Sequence, residues 1–160
     1  MKDFFEYGKS YKRNDSYIRE DIKELFDDYG EIALIFTCKY IVKNLKYVTL
    51  GNVRVFDDAL SRKTKYQLTD HVNLPCTLVE EYIELNEEEL KNKKLFMVCT
   101  PSQYDHYGVE RYALRLVTGY SIAPIIRAST VKSQWEKDLA ELRKLRDYYN
   151  ANREYNIGSE

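Results

Sequence analysis

The sequence has few of the residues that mark catalytic loops, cross-links or nucleic-acid-binding surfaces. Its 160 residues include 6 glycines, 3 prolines, 3 cysteines and 2 histidines. There is no glycine-rich phosphate loop, since Gly51-Asn52 is an isolated pair. The 25 basic and 26 acidic residues balance, whereas proteins that bind the phosphate backbone of DNA or RNA usually carry an excess of basic residues. These shortages argue against a phosphate-loop enzyme and against specific binding of DNA or RNA.

Long hydrophobic runs are also missing. The longest, residues 32–36, is far too short to cross a bilayer, and residues 1–6 contain no apolar signal-peptide core. Cys38, Cys76 and Cys99 are odd in number and irregular in spacing, which indicates free thiols in a reducing compartment. We therefore expect a protein made in a cytoplasm, with no membrane segment.

The length predicts a single domain, residues 1–160, large enough to bury a core without cross-links. The 15 tyrosines are unusual. Tyrosine suits surfaces that are wet before assembly and covered afterwards. AT-rich coding sequence explains the same excess, and both interpretations stay open.

Helical spacing is clear near the start of the chain, after a polar arm. Residues 1–13 are predicted to be an aromatic-rich N-terminal arm that a partner orders. Asp15 or Ser16 then caps an amphipathic helix that ends at Gly30. For residues 31–45 the apolar run fits either a buried strand or a buried helix, and we predict a helix from its length.

Residues 46–100 are predicted to form a small antiparallel sheet. Residues 46–50 and 53–56 flank Gly51-Asn52, a two-residue hairpin signal. We expect a further strand at residues 66–72 and a helix start or turn at Leu74-Pro75. An acidic turn at residues 86–92 and a strand at residues 94–99, closed by Pro101, complete the sheet.

The last third is predicted to be helical. Residues 109–120 form one helix, which Pro124 interrupts before residues 125–128 continue it. Ser133 and Glu136 form a capping box for a final helix, whose apolar seam is narrow. The fold expected is α+β: a helical bundle, made of the N-terminal helix and two C-terminal helices, with a small antiparallel sheet inserted in the middle. The seam comprises Trp135, Leu139, Leu142, Leu145 or Arg146, and Tyr149.

Two sets of residues were weighed as reactive sites. His71, Cys76, Cys99 and His106 are zinc-ligand types, but their spacing matches no common zinc site. Cys76 follows a possible helix start and has Asp70-His71 nearby, which makes a cysteine nucleophile an alternative. We expect no catalytic residue, no cofactor and no metal.

One resemblance concerns residues 74–158. Leu74-Pro75, a helix at residues 109–120, a charged helix at residues 135–149 and the ending at residues 150–156 resemble the head-to-tail connector proteins of tailed bacteriophages. The likeness is greatest to the tail tubular or adaptor proteins of short-tailed phages. The long N-terminal helical hairpin of that family is not evident.

The resemblance implies a virion structural protein in the neck or tail, made in the host cytoplasm. Such subunits form a ring, typically dodecameric, that joins a portal protein to a tail or second ring protein. DNA passes through without specific binding. A C-terminal tail at residues 150–160 is implied to dock on the portal. The residues implied in portal docking are Tyr148, Tyr149, Asn150, Asn152, Tyr155 and Asn156. Those implied in subunit contacts are Trp135, Leu139, Leu142, Arg143 and Arg146.

Two alternatives remain beside the adaptor hypothesis. One is a small intracellular enzyme that depends on Cys76. The other is a monomeric regulatory binding protein.

Overall fold

A computed structural model of the chain describes residues 20–56, 71–91 and 93–158, with side chains as far as Arg153. The predicted N-terminal arm, the start of the first helix and most of the strand predicted at residues 66–72 lie outside the described residues. The elements are, in chain order, α1 (Glu20–Tyr29), β1 (Leu34–Lys43), β2 (Tyr47–Val55), β3 (His71–Pro75), α2 (Cys76–Glu80), α3 (Glu87–Leu90), β4 (Lys94–His106), β5 (Val109–Leu116), β6 (Ile125–Arg127) and α4 (Lys132–Gly158).

The strands form one antiparallel sheet in the order β3-β2-β1-β4-β5, and β6 pairs with the first part of β4. Every strand pair in it is antiparallel. The sheet begins at Leu34 and ends at Arg127. The predicted helical bundle with a small inserted sheet is therefore wrong: the sheet is the body of the protein, and the helices pack on it.

Both faces of the sheet are covered. On one face, Ile22 and Leu25 of α1 belong to the larger apolar cluster. On the other face, Leu139, Leu142 and Leu145 of α4 pack in a second cluster with side chains of β1 and β4. A strand that is buried on both faces loses the alternation that distinguishes a strand from a helix in sequence.

This double burial explains why residues 31–45 were wrongly predicted to be a helix. In β1, Leu34 and Phe36 face the larger cluster, whereas Ile35 faces the second one. The strand lies between β2 and β4, so it is also central. Its continuous apolar run reflects that position and not a buried helix.

The hairpin predicted around Gly51-Asn52 is also wrong, because β2 continues through it. Asn52 has a φ of 52°, and the register with β1 shifts there, which is the pattern of a bulge. The real turn lies at residues 44–46, where the Asn44 side chain accepts hydrogen bonds from the N–H groups of Lys46 and Tyr47, both at 2.7 Å. Asparagine suits both roles, because it tolerates positive φ and hydrogen-bonds its own turn.

The helix predicted at residues 109–120 and continued at 125–128 is replaced by β5 and β6. Tyr112, Leu114 and Leu116 are buried on one face of β5, at a spacing of two. Because Tyr112, Leu116 and Tyr120 also lie four residues apart, the sequence fitted a helix as well. The pairing with β4 makes this segment a strand and not a helix, and the spacing of residues along the sequence does not reveal that pairing.

Pro101 does not close the strand predicted at residues 94–99. The Val98 carbonyl accepts the Val117 N–H at 3.0 Å, so Val98 and its alternate neighbours bond towards β5. The Pro101 nitrogen therefore points to the opposite edge, beyond the last β1 pair, Leu34 with Cys99. A proline costs no ladder bond at such a position.

Three sequence predictions are confirmed. Leu74-Pro75 precedes a helix, with Pro75 as its N-cap residue. The seam leucines of α4 are buried, including Leu145. The third confirmed prediction is the end of α1 at Gly30.

The capping box predicted at Ser133 is wrong. The first helical N–H, that of Trp135, donates to the Val131 carbonyl at 2.9 Å, so the helix begins before Ser133.

Gly30 ends α1 as predicted. Its φ is +72°, and its N–H bonds to the Phe26 carbonyl at 2.6 Å, as in a left-handed helix cap. A Cβ at Gly30 would approach Arg153 Nη1 to 3.2 Å, and Arg153 donates to the Tyr29 carbonyl at 3.3 Å. The cap of α1 is thus also a contact point for α4.

We expect Gly30→Ala to lower the free energy of unfolding by about 1–2 kcal/mol, because alanine is strained at positive φ and crowds Arg153. Urea denaturation measures this. Gly119→Ala is the matched control, since Gly119 also has positive φ but has open space around its Cβ position. An equal loss in the two variants would contradict a packing role for the Gly30–Arg153 contact.

Candidate functional site: the hairpin arm

Strands β4 and β5 extend past the rest of the sheet as a two-stranded ribbon. The pairing of β4 with β1 ends at Cys99, whereas its pairing with β5 continues from Cys99 to His106. The seven extra residues, Thr100 to His106, span roughly 20 Å at the usual rise of a strand. We call residues 102–113 the hairpin arm.

The base of the hairpin arm is held firmly. The Tyr112 ring is buried and lies 5.7 Å, centroid to centroid, from the ring of Phe26 in α1. Its hydroxyl donates to the Glu110 carboxylate and accepts from the Gln103 amide at 3.0 Å. Gln103 also donates to the same Glu110 oxygen. The arm is therefore fixed in direction by packing and by a side-chain network at its root.

The same network affects protonation. The hydrogen bond from the Tyr112 hydroxyl to Glu110 raises the pKa of Tyr112 above its usual value, because it favours the neutral phenol. The phenol thus remains a donor throughout the physiological range. No proton-transfer role follows from this, and the group serves to orient the arm.

The turn at the tip has strained geometry. Tyr107 and Gly108 connect His106 to Val109 and have φ values of 53° and 78°. Two positive values define a type I′ turn, in which asparagine followed by glycine is the favoured pair. Gly108 fits this turn at no cost, but a bulky tyrosine at positive φ is an outlier that costs of order 1 kcal/mol.

The strained tyrosine is also the most prominent apolar side chain of the arm. Tyr107 is 93% exposed, and the His106 ring packs edge-on against it at 4.5 Å. Tyr104 and Val109 are exposed by 46% and 44%. Because Val109 lies opposite His106 and Tyr104 is two residues away, these three side chains share one face of the ribbon. We define the tip patch as Tyr104, His106, Tyr107 and Val109.

The tip patch was not found from sequence, because residues 109–120 were taken as a helix. A signal was present. Tyr107-Gly108 stands between two stretches that each alternate, and glycine at the second place of a two-residue loop is typical of a hairpin. Tyrosine at the first place is not a usual turn residue, and it obscured the signal.

The predicted subunit-interface residues are largely inside the chain. Leu139 and Leu142 are buried against the sheet, and Trp135 packs against Phe56 and Phe96, with ring centroids 6.4 and 6.1 Å away. Arg143 and Arg146 are half-buried. The leucines and the tryptophan thus serve the core of their own chain.

The predicted docking tail is also engaged internally as far as the structure describes it. The Asn150 side chain accepts the Ala33 N–H at 2.8 Å and donates to the Ala33 carbonyl at 3.1 Å. Asn152 donates to the Tyr120 hydroxyl at 3.3 Å. Tyr149 packs in the second cluster, whereas Tyr148 is 51% exposed. The side chains of Tyr155 and Asn156 lie outside the described residues.

The thiols are not arranged as a reactive site. All three cysteines are buried, and burial raises the pKa of Cys38 to about 12 and that of Cys99 well above its usual value. His71 begins β3 and Cys76 begins the helix that follows it, so the two residues lie roughly 16 Å apart at the rise of a strand. The structure does not bring them together, and Asp70 lies outside the described residues.

The residues with zinc-ligand side chains are separated as well. His71 is on β3, Cys99 is in the middle of β4, and His106 is at the tip of the hairpin arm. In residues 20–56, 71–91 and 93–158, no three His, Cys, Asp or Glu side chains are grouped so that they could hold a metal ion. Across the same residues, no helix has the length and apolar character needed to span a membrane.

Comparisons of the chain with protein-family models, with curated proteins and with solved structures found no match.

Proposed function

We propose that this protein is a structural assembly protein that docks onto a larger protein partner through the tip patch. The observation that carries the proposal is Tyr107, a strained residue that is 93% exposed at the end of a firmly rooted arm. Asparagine or glycine would make the same turn at lower energy. A bulky residue at such a position indicates a use for its side chain outside the chain.

The chemistry of the tip patch suits a protein socket. Tyrosine offers a rigid ring with few rotatable bonds and a polar tip, and tyrosines dominate the energetics of many interfaces. The opposite face of the ribbon holds the polar Gln103 and Glu110, which stay at the root network. We infer that the arm inserts its tip patch into an apolar pocket of the partner, while the polar face of the ribbon stays at the edge of the contact.

The sequence resemblance gives this proposal its specific form, a virion head-to-tail adaptor that joins a portal to a tail. A helix at residues 109–120 formed part of that resemblance, and the strand Val109–Leu116 stands there instead. What remains in its support is the long final helix with its charged outer side. The ring, the portal contact and the passage of DNA are proposals that rest on it.

Site-specific photo-cross-linking tests the docking proposal. A benzophenone amino acid placed at Tyr107 in the full chain, expressed in the source cell, is expected to cross-link one discrete protein partner. The matched control carries the same group at Lys137, an exposed residue on α4. Identical background products from the two positions would contradict docking by the tip patch.

The strain makes a second test possible. We expect Tyr107→Asn to raise the free energy of unfolding by about 1 kcal/mol, because asparagine suits positive φ in this turn, and to abolish the cross-link when the photoreactive group is moved to Tyr104. Chemical denaturation and the cross-linking yield measure the two effects. A variant that is less stable than the wild type would refute the strain on which the proposal rests.

A further inference from the structure

A second exposed surface lies at the other end of the sheet, in the turn between β1 and β2. Leu45 is fully exposed there, and Ile41 and Tyr47 beside it are 43% and 44% exposed. The turn is rigid, because Asn44 fixes it by two hydrogen bonds of 2.7 Å. Exposed Lys43 and Lys46 flank the leucine. The result is an apolar knob with a basic surround.

A shallow open depression with the opposite charge lies next to this knob. It has a volume of about 420 Å³ and is lined by the run of residues 80–85. Half-buried Tyr82 and Ile83 provide apolar surface within it, and exposed Glu80, Glu81 and Glu84 surround them. The depression is an apolar floor with an acidic surround.

Knob and depression are neighbours on the surface of one chain. The Lys43 ammonium donates to the Leu85 carbonyl at 3.3 Å, and the Lys46 carbonyl accepts the Cys76 N–H at 2.8 Å. Two complementary features that lie side by side satisfy the condition for a two-fold interface, in which the same surface meets itself after rotation. Each knob then enters the depression of the other subunit.

We propose that this surface binds a second copy of the chain, with Leu45 of each subunit seated on Tyr82 and Ile83 of the other. The surrounding charges fix the orientation, since the lysines of each turn meet the glutamates of the facing depression. A basic partner would be repelled by the lysines, and an acidic one by the glutamates. A surface that carries both signs in adjacent halves fits its own copy best. The proposal is independent of the tip patch.

Charge reversal with mixing tests the pairing. The double variant Lys43→Glu with Lys46→Glu makes both halves of the surface acidic. The double variant Glu80→Lys with Glu81→Lys makes both halves basic, so each variant alone is expected to be monomeric. An equimolar mixture is expected to form a heterodimer, because the acidic turn of one variant meets the basic depression of the other, and the basic turn of the second meets the acidic depression of the first. Sedimentation equilibrium of the full chain, with circular dichroism to confirm folding, gives the result. A mixture that stays monomeric while the wild type dimerises would overturn the proposal.

The leucine is tested separately. Leu45→Ser is expected to raise the dimer dissociation constant roughly tenfold or more, since a buried leucine side chain contributes on that scale. Val131→Ser, at another exposed apolar residue, is expected to leave it unchanged. The proposal would be overturned in favour of a lipid surface by two results together. The wild-type chain would be monomeric and float with phosphatidylserine vesicles, and Leu45→Ser would no longer float with them.

Discussion

Leu142→Ala is expected to lower the free energy of unfolding by about 2–5 kcal/mol, independently of protein concentration. Leu142 is 1% exposed and lies in the cluster between α4 and the sheet, so its truncation removes buried apolar contacts and leaves a cavity. Urea denaturation followed by far-ultraviolet circular dichroism at two protein concentrations measures the loss.

The concentration series separates two roles for the seam of α4. If the seam packed on another subunit, the difference in stability between Leu142→Ala and the wild type would itself change with protein concentration. Val131→Ala is the matched control, because an apolar side chain is shortened at an exposed site that lies outside both proposed surfaces. We expect that control to change stability by less than about 0.5 kcal/mol. A large effect in the control, or none at Leu142, would contradict the packing described here.

Asn150→Ala is expected to lower the free energy of unfolding by about 2–3 kcal/mol. The Ala33 residue is fully buried, and the Asn150 side chain satisfies both its N–H and its carbonyl. Removing that side chain leaves a buried donor and a buried acceptor without their partner, which costs more than the net value of the two bonds. Thermal denaturation measures the effect.

Asn152→Ala provides the comparison from the same helix. Its hydrogen bond to the Tyr120 hydroxyl is 3.3 Å long and exposed, so we expect a cost of about 0.5 kcal/mol or less. Asn150 had been assigned to partner docking from the sequence, and the contrast between the two variants distinguishes that role from an internal one. Equal and small effects would show that Asn150 does not hold α4 to the segment before β1.

The features predictable from sequence were those whose signals are local. Gly30 ends α1 because positive φ at a helix end selects glycine, and the seam leucines of α4 follow one helical face. Neither depends on which element lies across from it. Both were therefore visible before any pairing was known.

The predictions that were wrong concern features that depend on pairing across the sheet. β1 is covered on both faces, so its alternation is masked, and β5 carries tyrosines and leucines that fit a spacing of two or of four. Asn52 looked like a hairpin turn, but the register with β1 makes it a bulge. The tip patch was missed for the same reason, because a hairpin tip is recognised only once its two strands are.

We propose that the tip patch joins this protein to an assembly, with the virion neck as the specific place. The most direct test is immunogold labelling of virus particles. The source is made to produce either the wild-type chain or Tyr107→Asn, the particles are purified, and those labelled by an antibody against the protein are counted. We predict label at the neck for the wild type and at least a tenfold loss for the variant, although its fold is the more stable one. Equal labelling by both chains would contradict docking through the tip patch, and particles without any label would contradict a place in the virion.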